Sequence, residues 1–318
     1  MFMFRKIFAV LISFILFFSF VPGVPYSVKD AENIKMSAVI LSDVHIEGNN
    51  PDRWERFGNT LNGVFSADRL PDVVAFTGDN TMNGQWVEWL DFYGLLNRYN
   101  KGSNVIVSFG NHDFGNNADH KDYARLSKRC LACYNGYCGK NISSVYYTTE
   151  VNGYKFIALS SEDNAENTVS VITDSQIEWL KGELKKAADK GMPAFVLNHN
   201  LIEGKNGRRS YWDFNITDNN EKLAQALESC GTKVIYFCGH SHIRLDYDQN
   251  SVNTVGNVTY VNLPSVGNIP DYSSYDNEEM AFGTGCCLEA YEDCLLLRFR
   301  SFGENKWVKG FEEIKIDL

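Results

Sequence analysis

The sequence predicts one α/β domain, a sandwich of mixed sheets flanked by helices, behind a short N-terminal targeting segment. Three observations carry this. Short apolar runs alternate with helical patterns from residue 36 onward, and beyond residue 255 the pattern turns to strands alone. The chain is also large enough for one sizeable core: its 318 residues are 44% apolar and only 22% charged, which argues against disorder as the default reading. No internal repeat or linker interrupts residues 35–318, so that stretch reads as one domain.

Taken in order, the first element is not part of the fold. Arg5 and Lys6 form a basic start, Phe8–Phe20 runs without a charge, and Pro22-Gly23 breaks it. A run of this length falls short of the about 20 residues a bilayer span needs and fits the apolar region of a signal segment, here residues 1–27. The expectation is a secreted or extracytoplasmic protein, held at a membrane only if the leader stays uncleaved.

Six apolar runs follow: Ser37–Leu41, Val73–Thr77, Val105–Phe109, Phe156–Leu159, Ala194–Leu197 and Lys233–Cys238. They are short and continuous, as strands buried on both faces are. Between the second and third, Gln85–Tyr99 places Trp86, Trp89, Leu90, Tyr93 and Leu96 at helical spacing, a stripe suited to core packing. Thr173 and Gln176 suggest a capping box, Ile177, Leu180 and Leu184 an apolar stripe, and Gly191 with Pro193 a stop. A hairpin is expected near Cys286–Arg300.

There are eight cysteines. Cys130, Cys133 and Cys138 lie in what reads as a loop, with His120 close by. Their spacing matches no standard structural zinc site, so a disulfide or free thiols are preferred over a zinc knuckle. Cys286 and Cys287 are adjacent on a strand and face opposite sides, and Cys238 reads as a small core residue. Three Asn-x-Ser/Thr sequons begin at Asn141, Asn215 and Asn257.

The net charge is −10. Such a surface repels polyanions, which argues against DNA or RNA polymers as partners. Small phosphorylated substrates remain open, because a bound metal reverses the field locally.

The polar residues then fall into a pattern. Asp43-Val44-His45 follows the first strand, Gly78-Asp79-Asn80 the second and Gly110-Asn111-His112-Asp113 the third. His199 follows Ala194–Leu197, and Gly239-His240-Ser241-His242 follows Lys233–Cys238. Five of the six histidines therefore stand at the same end of four of these strands, and Asp79 at the end of the fifth. One such histidine alone reads as structural, but five strands that all end in potential ligands converge on one crevice.

This ordered set resembles the calcineurin-like metallophosphoesterase superfamily, in particular its cyclic-nucleotide phosphodiesterase-type branch, over about Ser37 to Asn262. The resemblance implies a β-sandwich flanked by helices and a binuclear metal centre that hydrolyses phosphate esters, mono- or diester. It implies that Asp43, His45, Asp79 and His242 hold one ion. Asp79, Asn111, His199 and His240 would hold the other, with Asp79 shared. His112 would contact the phosphate and protonate the leaving oxygen. Mixed carboxylate and imidazole donors suit Mn, Fe or Zn better than Ca. Such a pair can activate a hydroxide between the ions and clamp both oxygens of an in-line displacement.

Two positions depart from relatives. Met82 stands where the phosphoprotein phosphatases carry an acidic residue and the purple acid phosphatases a tyrosine, so neither subfamily is expected. Leu201 replaces a proline common after the His199 motif. Specificity is expected from two connections, Phe114–Ser144 and Glu203–Asn219. The second carries Lys205, Arg208, Arg209, Tyr211 and Trp212; it reads first as a solvated loop, and alternatively as a phosphate and base contact. The rival to an enzyme is a non-catalytic interaction module on the same fold, although such modules lose ligands that this chain keeps.

Overall fold

The computed structural model describes residues 25–115, 122–163, 170–205, 219–245, 251–267 and 283–318. The leader's basic and apolar segment lies outside them, as do His120, Arg208, Arg209, Tyr211 and Trp212.

Thirteen strands are described, in two mixed sheets. The first contains β1 (Met36–Leu41), β2 (Val73–Phe76), β3 (Asn104–Val107), β10 (Thr284–Ala290), β11 (Cys294–Ser301), β12 (Lys306–Trp307) and β13 (Ile314–Asp317), in the order β12-β11-β10-β1-β2-β3, with β13 also on β11. The second contains β4 (Tyr147–Val151), β5 (Tyr154–Ala158), β6 (Ala194–Leu197), β7 (Val234–Cys238), β8 (Val252–Val255) and β9 (Val258–Asn262), in the order β4-β5-β6-β7-β9-β8. The predicted sandwich of mixed sheets is therefore found. All six predicted strands exist, within two residues at each end, and the expected hairpin is β10–β11.

The centre of each sheet is parallel: β1, β2 and β3 pair in parallel, as do β5, β6, β7 and β9. That arrangement puts the carboxyl ends of the ligand-bearing strands on one side. Alternate residues of the second sheet face two layers. Phe195, Leu197, Ile235 and Phe237 pack into the sandwich interior. Ala194, Val196, Val234 and Tyr236 pack with the helices α4 (Asp174–Ala188) and α5 (Asn220–Glu228) outside it.

Three helices cover the first sheet: α1 (Pro51–Val64), α2 (Trp86–Tyr99) and α3 (Tyr123–Cys138). Phe57 of α1 stacks on Phe92 of α2 at 5.3 Å between centroids, and Phe76 of β2 meets both rings edge-on. None of the described helices is long and apolar enough to cross a membrane.

Three expectations are corrected here. The stripe on α2 is Trp89, Phe92, Tyr93, Leu95 and Leu96, whereas Trp86 and Leu90 are each 52% exposed. Leu90 lies about 100° round the helix from Trp89, outside the buried arc. The segment with Cys130, Cys133 and Cys138 is not a loop but α3, so much of the Phe114–Ser144 connection is a packed helix. All eight cysteines are free thiols. At α4, Thr173 does accept from the backbone of Gln176, but the Gln176 side chain turns away to Ser160 and Glu162, so the box is half formed.

β3 ends the first sheet, and its outward side is closed by side chains. The Tyr147 hydroxyl donates to Val107 O and accepts from Val107 N, both at 2.9 Å. The Tyr134 hydroxyl donates to Val105 O at 3.1 Å.

Candidate metal centre

Each parallel strand stops against a sharp turn, and the turns carry the polar residues. Asp43, His45, Asp79, His240 and His242 all have positive φ, between 49° and 66°. L-residues rarely adopt this backbone, at a cost of order 1 kcal/mol or more each, and it gathers at functional sites. Backbone bonds lock the turns together. Asp43 N donates to Gly78 O, His45 N to Asp79 O, and Ile46 N to Asn80 O. Gly239 N donates to His199 O, and Gly267 N to Asp43 O.

The predicted residues meet at one place. Asp43, His45, Asp79 and His242 each present an atom within 4.8 Å of the others, and so do Asp79, His199 and His240. Asp79 belongs to both groups. Its Oδ2 lies 3.7 Å from His45 Nε2 and 3.1 Å from His199 Nε2. Its Oδ1 accepts from His112 N at 2.9 Å. Asn111 Oδ1 stands 3.1 Å from His199 Nε2, completing the second group. All seven predicted ligands are thus brought together.

The donor set fits divalent ions. His45 Nε2 and His242 Nε2 are 3.0 Å apart, and His242 Nε2 and Asp43 Oδ1 also 3.0 Å. His199 Nε2 faces His240 Nδ1 at 2.9 Å besides Asn111 and Asp79. One ring nitrogen carries at most one proton, so protons cannot satisfy so many converging lone pairs. Donors bound at about 2.1 Å to one ion sit about 3.0–3.4 Å apart, which matches these contacts. His199 Nδ1 donates to Thr77 O at 3.3 Å, which turns Nε2 to the cluster, the arrangement expected of a ligating histidine.

The electrostatics agree. Burial lowers the pKa of His45 and of His240 to about 3, so both rings are neutral, the form that binds metal. Burial alone would raise Asp43 and Asp79, but surrounding imidazoles hold both below the usual carboxylate range. His199, although buried, is raised to about 9 by Asp79 and Asp43. Two buried carboxylates thus draw positive charge into the site, which His199 supplies as a proton unless a cation takes its place.

His112 sits at the edge, with its Nε2 4.0 Å from Asp79 Oδ2. Its Nδ1 is 2.8 Å from Met82 O; a carbonyl only accepts, so Nδ1 carries the proton. Asp113, its neighbour in sequence, serves other groups. Asp113 accepts instead from Asn80 N and Nδ2, Thr81 N and Oγ1, and Gly110 N, bracing the β2 and β3 turns. Burial, with Asp79 beside it, pushes Asp113 up to about 7 against the pull of the Gly110 and Thr81 donors.

Sequence reasoning missed the braces. Ser42 donates to Asp43 Oδ2 and accepts from Thr77. Arg53 reaches His45 O and Met82. Only the short hydroxyl beside Asp43 carried a local signal; the rest depends on tertiary approach.

The glycines are a sharper test. A Cβ on Gly110 would lie 2.2 Å from Asp79 Oδ1 and 2.8 Å from His199 Cδ2. Gly110→Ala is therefore expected to fold but to displace Asp79, at about 1–3 kcal/mol of strain, and to purify with depleted metal. Circular dichroism with elemental analysis checks this; full metal content in the variant contradicts it.

Comparison with known proteins agrees with the geometry. The chain is 26% identical over 174 residues to a probable cyclic nucleotide phosphodiesterase of Rhodococcus erythropolis, covering 52% of this chain and 53% of that protein. It thus spans about half the length of the curated relative it matches. A dimetal phosphatase from Danio rerio superposes with a TM-score of 0.59 at 14% identity, covering 90% of this chain and 99% of its own. A purple acid phosphatase from yellow lupin seeds gives the same score and identity over 89% of this chain and 53% of its own. These likenesses establish the fold. The model for calcineurin-like phosphoesterases matches residues 36–244, which include every candidate ligand, and the chain belongs to the calcineurin-like phosphoesterase family.

Proposed function

We propose that the chain hydrolyses small phosphate esters at a centre of two divalent ions. The observation that carries this is the single oxygen, Asp79 Oδ2, set between His45 and His199, the nearest imidazoles of two donor groups. Asp43, His45, Asp79 and His242 hold one ion in this reading, and Asp79, Asn111, His199 and His240 the other. Two such ions supply Lewis acidity that neutralises phosphoryl oxygens and readies water for attack at phosphorus. Mixed imidazole, carboxylate and amide donors favour Mn, Fe or Zn.

The chain's own residues do the rest. Asn111 fills a coordination position without adding negative charge beside a phosphate. His112, its Nδ1–H held by Met82 O, keeps Nε2 towards the cleft. Protonated there, it gives its proton to the ester oxygen as that oxygen leaves phosphorus, while water provides the new P–O bond. A non-catalytic module would need neither His112 nor its fixed orientation, which favours the enzyme reading.

The relative from Rhodococcus puts cyclic nucleotides at the head of the substrates to try. The test is metal analysis followed by a panel of cyclic AMP, bis-p-nitrophenyl phosphate, p-nitrophenyl phosphate and alkyl phosphate esters. Two ions per chain and turnover of at least one ester, abolished by chelation and restored by Mn²⁺, are expected. A metal-loaded protein that turns over none of them sinks the reading.

A further inference from the structure

Arg53 stands in the first turn of α1, and its side chain does not seek an exposed acid. Its Nη1 donates to His45 O at 2.9 Å and lies 3.1 Å from Met82 Sδ, while Nε sits 3.5 Å from Glu47. His45 is a candidate ligand held at positive φ. Met82 is the residue whose carbonyl fixes the His112 ring. One guanidinium therefore grips both turns that set the metal cluster and the candidate acid.

The surroundings strengthen the case. The two turns are zipped by Ile46 N to Asn80 O and Met82 N to Ile46 O, and the Arg53 fork lies across that seam. One turn along α1, Arg56 Nη1 donates to Gly267 O at 3.0 Å, and Gly267 N donates to Asp43 O. Gly267 packs so closely that an added Cβ would lie 1.8 Å from Val44 O. Two like charges three residues apart on a helix repel each other. Here both reach backbone carbonyls of the site, from two sides of the same turn. Glu47 and Glu88 face Arg53 and partly balance it, although burial and Arg56 hold its pKa below the usual arginine value. The two protons of one nitrogen, Nη1, serve the carbonyl and the thioether while Nε stays beside Glu47; a lysine ammonium has no second nitrogen to keep both engagements in a fixed plane.

We propose that Arg53 is a positioning residue that sets His45 for metal binding and, through Met82, His112 for proton transfer. This rests on the hydrolytic reading above. It also gives Met82 a role: the thioether where relatives carry an acid or a tyrosine is half of an arginine clamp.

The test compares Arg53→Gln and the milder Arg53→Lys in the full chain, alone and with His112→Ala. Partners of metal-binding groups are typically worth about 10–100-fold in affinity or activity. Arg53→Gln is expected to lose that much kcat on an alkyl ester, less on a p-nitrophenyl ester, with KM held within about twofold. Its affinity for Mn²⁺, titrated alone without substrate, should fall by about tenfold or more. In the His112→Ala background the kcat loss on the alkyl ester should shrink to under about threefold, because the two residues act on one step. Arg53→Lys should fall between wild type and Arg53→Gln in both readouts, and it carries the test if Arg53→Gln does not fold.

Unchanged Mn²⁺ affinity with losses additive to His112→Ala overturns the proposal. So does raised KM with unchanged kcat, which would make Arg53 a substrate contact. Should wild type turn over no ester, hydrolysis fails as a reading, and the Mn²⁺ titration still decides whether Arg53 positions His45.

Discussion

Replacing His112 with alanine is expected to leave both metals bound and cut turnover of an alkyl phosphate ester by at least about 10²-fold. The ring holds none of the clustered ligand positions, and its Nε2 stays 4.0 Å from Asp79 Oδ2. Its orientation comes from Met82 O through Nδ1, so removing the ring leaves the donor groups intact. An alkoxide leaves phosphorus poorly without a proton, and general acid help is typically worth about 10²–10⁴-fold. A p-nitrophenolate leaves well without one, so the loss on p-nitrophenyl esters should be much smaller. Parallel kcat measurements with elemental analysis check this. Equal losses on both ester types would make His112 a phosphate-orienting group instead, and lost metal would make it a ligand.

Asp79→Asn should be the more damaging change. Asp79 belongs to both donor groups, and His199 owes its raised pKa of about 9 first to this carboxylate. An amide keeps the shape and removes the charge, leaving Asp43 as the remaining carboxylate among the seven candidate ligands. Because a direct ligand should matter more than its supporting shell, affinity at both positions is expected to fall by more than about 10²-fold, and turnover with it. His45→Ala, which touches one group, should spare the other. Metal counts per chain separate these outcomes. One tightly held ion surviving Asp79→Asn would contradict a shared oxygen.

The ligands were legible in the sequence because their signal is local. A buried parallel strand is a short apolar run, and a polar residue after a glycine at its carboxyl end reads directly as a turn into the crevice. Asp79, Asn111 and His240 follow that grammar, and His45 and His199 stand at strand ends without the glycine. What escaped was whatever depends on a second element. Arg53 lies eight residues past His45 in an unremarked helix, and only the packing of α1 brings its fork to His45 O and Met82. The group that orients His112 is Met82 O from the β2 turn rather than the adjacent Asp113, and nothing local in the sequence marks it. The helix α3 was hidden by cysteine, tyrosine and glycine, which are poor helix formers; its stripe of Leu126, Cys130 and Tyr134 at four-residue spacing was the available clue. Trp86 and Leu90 erred the other way, since helical spacing near a buried stripe does not place a residue inside it.

The closed flank of β3 bears on association between copies of this chain. A final strand normally presents alternate N–H and C=O groups to solvent, a ready template on which another chain can add a strand and begin aggregation. At β3 the inward groups pair with β2, while the hydroxyls of Tyr147 and Tyr134 engage those of Val107 and the carbonyl of Val105. Phenylalanine would fill the same volumes but leave those buried groups unpaired, at about 1–3 kcal/mol each. The two tyrosines therefore both cover and satisfy this flank, and stable self-association by sheet extension has to find a different margin.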